Sequence, residues 1–202
     1  KLHKEGEPIR PVVSFISAPT YRLVKFLDRW LNSVVDHQSQ YSLSNTVELV
    51  NNIKDRQVPN GAILVSFDVV GLYPSVPHSP TLAFMGLLQL CISPNFCKFN
   101  NEYFKFPEGV GIPIGSPLGS TFSEIFLKNL ENALFSSGEE FLTHITYWYH
   151  YVDDVLCLWQ GPQDGLHLLL SFINSLYPSV KFTIEIGGSN INFFGFIHMP
   201  QW

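Results

Sequence analysis

The 202-residue chain is short of charge: 14% of its residues are Asp, Glu, Lys or Arg, against about 25% in an ordinary globular domain. Positive charge is scarcest, with 12 Lys and Arg against 17 Asp and Glu and a formal net charge of −5. That balance argues against a small basic nucleic-acid-binding module, whose footprint is clustered positive charge. Cysteine is sparse too. Cys91, Cys97 and Cys157 are odd in number and lack CxxC spacing, which favours buried thiols in a reducing compartment over bridges or zinc ligands. No apolar run approaches the ~18 residues needed to cross a bilayer, and no N-terminal stretch has a signal-peptide layout. The His residues are scattered, with no HExxH motif, so a histidine metal site has little support. What the chain does have is apolar material, 46% hydrophobic and 14% aromatic, too much for a disordered chain. Its length fits one to two domains, and a start at Lys1 leaves room for missing parts.

Apolar spacing predicts an amphipathic helix over Thr20–Val35, carried by Leu23, Phe26, Leu27, Trp30, Leu31 and Val34. A second helix is expected over Ser44–Asp55, with Ser44 as its N-cap. Pro59-Asn60-Gly61 is a turn signal, and Ala62–Phe67 reads as a strand buried on both faces. Pro74, Pro77 and Pro80 stop that strand. A helix around Thr81–Leu90, a short strand at Tyr103–Phe106 and a Gly/Pro loop from Pro107 to Pro117 follow. Leu118–Phe135 is a long helix, Thr143–Trp159 holds two strands around Tyr151–Asp154, and a helix spans about Pro162–Leu176. Val180–Ile186 and Ile191–Met199 are expected strands joined as a hairpin by Gly187-Gly188-Ser189. Helices and strands interleave without a βαβ repeat, so the fold class expected is α+β.

Sparse charge makes acids in apolar settings informative. Asp68 ends an apolar strand, and Asp153 and Asp154 interrupt two more. Burying unpaired carboxylates is costly, and no Lys or Arg lies near them in sequence. A divalent cation would resolve the cost, since Mg²⁺ takes hard oxygen ligands and keeps substrate phosphates in its shell. Because successive strand side chains alternate faces, Asp153 is expected to be the main ligand beside Asp68. The plainer reading of Asp153-Asp154 is a turn tip, where Asp is common.

Several segments together resemble reverse transcriptases. Phe67-Asp68-Val69-Val70-Gly71-Leu72-Tyr73-Pro74-Ser75-Val76-Pro77 is similar to their first palm motif. Gly111-Ile112-Pro113-Ile114-Gly115-Ser116-Pro117-Leu118 is similar to their second, and Tyr151-Val152-Asp153-Asp154 to their Tyr-x-Asp-Asp motif, all in the right order. His3 to Ser14 resembles the fingers segment that reaches the incoming triphosphate. Phe172 to Thr183 resembles the matching stretch of Penelope-like retroelement reverse transcriptases, and Asn192 to Phe196 sits where that family has its primer-grip strand. The chain departs from the family at Phe194-Gly195, where Leu-Asp is usual, and at His150, where Arg is common. Ile114 stands where many reverse transcriptases have Gln and Penelope-like ones often Met.

The resemblance implies a right-hand polymerase palm of α+β build, an antiparallel sheet with helices on one face, plus partial fingers and no thumb. Residues 1–59 would be partial fingers and connecting helices, and 60–80 palm with the first catalytic motif. Residues 81–110 would be a fingers/palm insertion and 111–202 palm through the primer-grip strand. The implied reaction is attack by a primer 3′-hydroxyl on a dNTP, with two Mg²⁺ (Mn²⁺ as substitute) held by Asp68, Asp153, Asp154 and the Val69 carbonyl. Lys4 and Arg10 would contact the triphosphate, since Arg offers a bidentate fork and Lys a point charge; solvated surface charge is the alternative. Tyr73 would be the steric gate against a ribose 2′-OH, or else a core aromatic. Ile114, Gly115 and Ser116 would line the nucleotide pocket, where Gly lets backbone come close. Lys181 would be the general acid for pyrophosphate or a strand-edge lysine, and Phe193, Phe194 and Gly195 would place the primer end or fill a buried strand.

Implied partners are an RNA or DNA template with primer, and dNTPs, with no membrane. A thumb and a GIY-YIG endonuclease would belong to the full-length protein, in an intracellular, nuclear setting. Two other readings stay open: a catalytically inactive retroelement remnant, and an unrelated metal-dependent phosphohydrolase using the same acids. The charge deficit is also uneven. Residues 1–29 carry a net +3 and the rest −8, so positive charge gathers where a triphosphate would arrive.

Overall fold

The computed structural model describes residues 12–77, 86–92, 96–105, 111–187, 190–191, 193 and 197–198. In chain order the first elements are α1 (Tyr21–Val34), α2 (Thr46–Ile53), β1 (Ile63–Val69), the single turn α3 (Leu72–Ser75) and α4 (Gly86–Ile92). The hairpin strands β2 (Phe96–Phe99) and β3 (Glu102–Lys105) come next, then the long helix α5 (Leu118–Phe135). A 3₁₀ turn at Glu140–His144 leads into β4 (Ile145–Tyr151), β5 (Asp154–Trp159), α6 (Gln163–Leu176) and β6 (Phe182–Ile186). Two short strands, β7 (Asn190–Ile191) and β8 (Ile197–His198), close the series.

The central sheet has the order β4-β5-β1-β6, every neighbour antiparallel. An α+β fold with an antiparallel sheet is therefore what the chain adopts. β1 lies inside the sheet and is apolar on both faces, as its sequence requires. One face presents Val65, Phe67, Val69, Trp148, Val155, Cys157 and Phe182 to α1, α5 and α6, which supply Val24, Leu27, Phe122, Leu130, Leu166 and Leu169. The opposite face carries Leu64, Leu156 and Leu158, covered by Leu43, Leu49 of α2, Ile191 and Phe193. Each fully buried Leu or Phe contributes about 1.5–3 kcal/mol relative to exposure.

The structure corrects several expectations. α1 forms where its spacing predicts, but it is rotated so that Val24, Leu27 and Leu31 are buried while Phe26 and Val34 are exposed. The N-cap of α2 is Asn45, not Ser44: the Asn45 carboxamide oxygen accepts from the Glu48 N–H at 3.0 Å. Glu48 returns the bond by accepting from the Ser44 N–H at 2.7 Å, a reciprocal arrangement that satisfies two donors at the helix start. β6 does not form a hairpin with the strand after Gly187. It pairs with β1, while β7 pairs with β8 in a separate ladder, because β1 offers a buried edge that a local turn cannot match. β2 was not expected; it pairs with β3 across Asn100 and Asn101. Cys91 and Cys157 are buried free thiols, whereas Cys97 is only half-buried. Among the described residues no helix is long and apolar enough to cross a membrane.

Candidate active site

Asp68 is the penultimate residue of β1, and the register sets it opposite Asp154 on β5 and Thr183 on β6. Directly opposed residues in antiparallel strands project from the same face, so these three share one face at one end of the sheet. The next backbone pair tightens that end: the Val69 N–H donates to the Asp153 carbonyl at 2.8 Å and the Val70 N–H to the Lys181 carbonyl at 2.7 Å. Asp153 itself lies in the two-residue turn between Tyr151 and Asp154, which are paired. Val152 holds φ +53° there, a left-handed conformation that is rare for a β-branched residue. The turn thus lifts Asp153 out of the strand alternation. Asp68, Asp153 and Asp154 are all half-buried.

Gly71, at φ +65°, turns the chain from β1 into α3, which carries Tyr73. Tyr73 is half-buried beside the turn. Its hydroxyl is pushed above the ordinary phenol range by burial first, and then by the negative charge of Asp153 and Glu124 and by Tyr151. The second glycine-rich segment docks beneath it: the Ile112 N–H donates to the Tyr73 carbonyl at 2.8 Å and the Gly111 N–H to the Val76 carbonyl at 2.9 Å. A Cβ on Gly111 would collide with the Pro74 carbonyl, and one on Gly115 with that of Val13. Both glycines also hold positive φ, so close approach and conformation select the same residue. Ile114 bridges Val12, its carbonyl accepting the Val13 N–H at 2.9 Å. Ser116 is half-buried in the turn that starts α5.

The remaining expected residues fall elsewhere. Lys181 is exposed and its ammonium donates to the Asn174 carbonyl at 3.2 Å, a favourable place for a cation in the last turn of α6. Phe193 is fully buried against the second face of the sheet. Lys4, Arg10, Phe194 and Gly195 lie outside the described residues.

Two features escaped sequence reasoning. One is Gly119 in the first turn of α5: a Cβ there would stand 3.0 Å from Cδ1 and Cε1 of Tyr73, so glycine makes room for that ring. The other is a buried polar cluster behind the turn. His150, fully buried, sets Nδ1 2.7 Å from Glu131 Oε1 and Nε2 3.4 Å from Glu124 Oε2. Glu131 also accepts from Trp148 Nε1 at 2.9 Å and from the Ser39 hydroxyl, and Glu124 accepts from the Ser42 hydroxyl at 3.0 Å. Burial alone would depress the imidazolium, but its two carboxylate partners outweigh that and raise its pKa to about 9. Burial likewise opposes the charge on Glu124, yet His150 and Ser42 hold its carboxyl below the usual range. The signal available in sequence was the pair Glu124 and Glu131, seven residues apart and hence on one face of α5.

An antiparallel sheet backed by long helices, with three acids at one sheet end, defines the class of polymerase palms. Solved structures agree on the fold. A telomerase from Candida tropicalis truncated from its C-terminal domain matches with a TM-score of 0.54 at 15% identity, covering 91% of this chain and 45% of that one. Telomerase from Candida albicans in complex with a TWJ fragment of telomeric RNA matches at 0.55 and 13%, covering 90% and 38%. The BmCPV RNA-dependent RNA polymerase at elongation state matches at 0.51 and 13%, covering 85% and 18%. The chain thus spans less than half of each of these proteins. No curated protein sequence matches it. Residues 2–186 match the reverse transcriptase (RNA-dependent DNA polymerase) family, and the chain belongs to that family.

Proposed function

We propose that the chain is the fingers–palm core of an RNA-directed DNA polymerase from a Penelope-like retroelement, extending a primer 3′-hydroxyl with dNTPs. The observation that carries this reading is the convergence of Asp68 and Asp154, opposed across β1 and β5, with the Asp153 turn bonded to Val69. Their carboxylates and the Val69 carbonyl are hard oxygen donors and fit Mg²⁺. Among the described residues no three such side chains are already gathered into a cage. Two bound ions would neutralise charge on the attacking and leaving oxygens of the displacement.

The chain's own residues do the positioning. Tyr73 stands beside the Asp153 turn, where its ring would crowd a ribose 2′-hydroxyl and so favour deoxynucleotides. Gly115 and Ser116 bring backbone close to the base pair being formed, and Lys4 and Arg10 would meet the triphosphate. Lys181 would release the α6 carbonyl to hand a proton to pyrophosphate. Much of the barrier reduction would come from orientation and fixed charge rather than covalent chemistry.

Primer extension on an RNA template with Mg²⁺ and dNTPs tests this. The chain should extend, and Asp153→Asn should lower the rate about 100-fold or more. Extension that survives Asp153→Asn would sink the site. A chain carrying its thumb that still fails to extend would favour the inactive remnant. Tyr73→Ala should admit ribonucleotides, and Gly119→Ala, by displacing the Tyr73 ring, should alter the same ratio; unchanged sugar discrimination in both would remove the gate.

A further inference from the structure

The strained turn that carries Asp153 is not held by its own sequence. Val152 at φ +53° costs about 1–3 kcal/mol and persists only if the surroundings over-determine it. β4, which delivers the turn, is an edge strand of the sheet, where local opening would ordinarily begin. The segment between α1 and α2 covers that edge at one place. The His150 N–H donates to the Tyr41 carbonyl and the Leu43 N–H to the His150 carbonyl, both at 2.8 Å.

The same residue is fixed from the other side by its ring. Glu131 and Glu124 each receive one nitrogen of His150 and one serine of the covering segment, Ser39 and Ser42 respectively. Lys128, on the same helix, ties the start of that segment by donating to the Asp36 carbonyl at 2.7 Å and to its carboxylate at 3.2 Å. A carboxylate only accepts, so a ring facing one at each nitrogen carries both protons.

We infer that His150, as a doubly donating imidazolium between Glu124 and Glu131, is the positioning residue of this active site. It clamps edge strand β4 to α5 and to the 36–43 segment, and so holds the Val152–Asp153 turn in its strained form. His150 lies three residues before Asp153, and its raised pKa is what the geometry requires. A neutral core residue of equal volume would fill the space without tying the three elements together. The inference rests on the reading of Asp153 as a catalytic carboxylate only for its consequence; the clamp itself can be measured without catalysis.

The test is hydrogen–deuterium exchange on the full chain, comparing wild type with His150→Gln and His150→Arg. Peptides covering 148–155 and 66–70 should exchange at least tenfold faster in His150→Gln, those covering β2–β3 should not change, and His150→Arg should restore protection. A uniform increase over the whole sheet, or none, would overturn the clamp. Should His150→Gln not fold, Ser42→Ala severs only one bond of the cluster and should give the same local pattern, weaker. Primer extension by the same samples separates the two claims. Loss of protection with no activity even in wild type carrying its thumb leaves the clamp standing and removes the polymerase reading. Where wild type extends, His150→Gln should lower kcat with little change in the dNTP KM, because the turn and not nucleotide contact is disturbed.

Discussion

Among the described residues two hairpins are closed by two-residue turns, β2–β3 and β4–β5, and they are stabilised by opposite means. In the β2–β3 hairpin the turn residues are Asn100 and Asn101, at φ +48° and +65°. Asn tolerates this region, and two positive-φ residues match the twist of a tight hairpin. Among the described residues these two strands pair with no third strand. In the β4–β5 hairpin Val152 takes the positive φ, and Asp153 follows it. A turn with one left-handed residue at its first position favours Gly, so local chemistry argues against Val. The first hairpin is specified by its turn, the second by its surroundings. The left-handed Val152 therefore puts backbone strain in the turn that carries Asp153, where the turn residues themselves do not favour it.

The largest expected effect that separates the two hairpins is a pH dependence. The folded pKa of His150, about 9, lies above its ordinary 6.5. Its contribution is therefore complete below pH 6.5 and lost as pH rises through about 9. The shift corresponds to stabilisation on the order of 3 kcal/mol. Glu124 works in the opposite direction: its lowered pKa contributes above pH 4.5 and is lost as pH falls through the folded value. The charged and polar groups facing His150 are Glu124 and Glu131 from α5, Trp148 on its own strand, and Ser39, Tyr41 and Ser42 from the covering segment. Denaturant unfolding should show wild type exceeding His150→Gln most near pH 6, with the gap closing toward pH 10. A constant gap would mean that the ring contributes by packing alone. Exchange in the β2–β3 hairpin should follow neither curve.

Next in size is a transplanted strain. Asn101→Val puts a β-branched residue at φ +65° in a hairpin without outside support, at a cost of roughly 1–3 kcal/mol. That should open β2–β3 locally, seen as faster exchange over 96–105, while the midpoint of global unfolding stays near wild type. A large global shift would show that this hairpin is joined to the core more firmly than its exposed Phe99 and Tyr103 indicate.

The same contrast explains which parts of the structure sequence could reveal. α1, α5 and α6 were legible because one apolar stripe per helix is a local pattern. Asp68 and the Asp153-Asp154 pair are legible because a carboxylate in an apolar setting is costly unless it has a task, but only the register shows that Asp154 stands across from Asp68 while Asp153 lies in the turn. The pairing of β6 with β1 was not legible: Gly187-Gly188-Ser189 is good hairpin chemistry, and only the competing buried edge of β1 decides against it. Ser44 and Asn45 are both good caps, and the choice between them depended on where Glu48 could reach. The His150 cluster was invisible for a stronger reason. Its members lie on three separated segments, and each alone reads as an ordinary polar residue. His150 registered only as a departure from an expected Arg, although either side chain supplies a cation with several donors between two carboxylates.

The smallest effect is the sharpest comparison. Val152→Gly removes the left-handed strain but adds the unfolded-state entropy of glycine, about 0.5–1 kcal/mol, so the net change in stability should be within about 1 kcal/mol. Function should not follow stability. A glycine turn no longer has one enforced shape, so Asp153 should wander, exchange at the turn should quicken, and primer extension should fall although the fold is as stable as before. Asn101→Gly, the matching change in the other hairpin, should leave extension untouched. If Val152→Gly instead destabilised the chain by several kcal/mol, the half-buried Val152 side chain would be contributing packing that outweighs its backbone strain. If it extended primers as well as wild type, the strain would have no part in placing Asp153, and the turn would owe its shape entirely to Val69 and the His150 clamp.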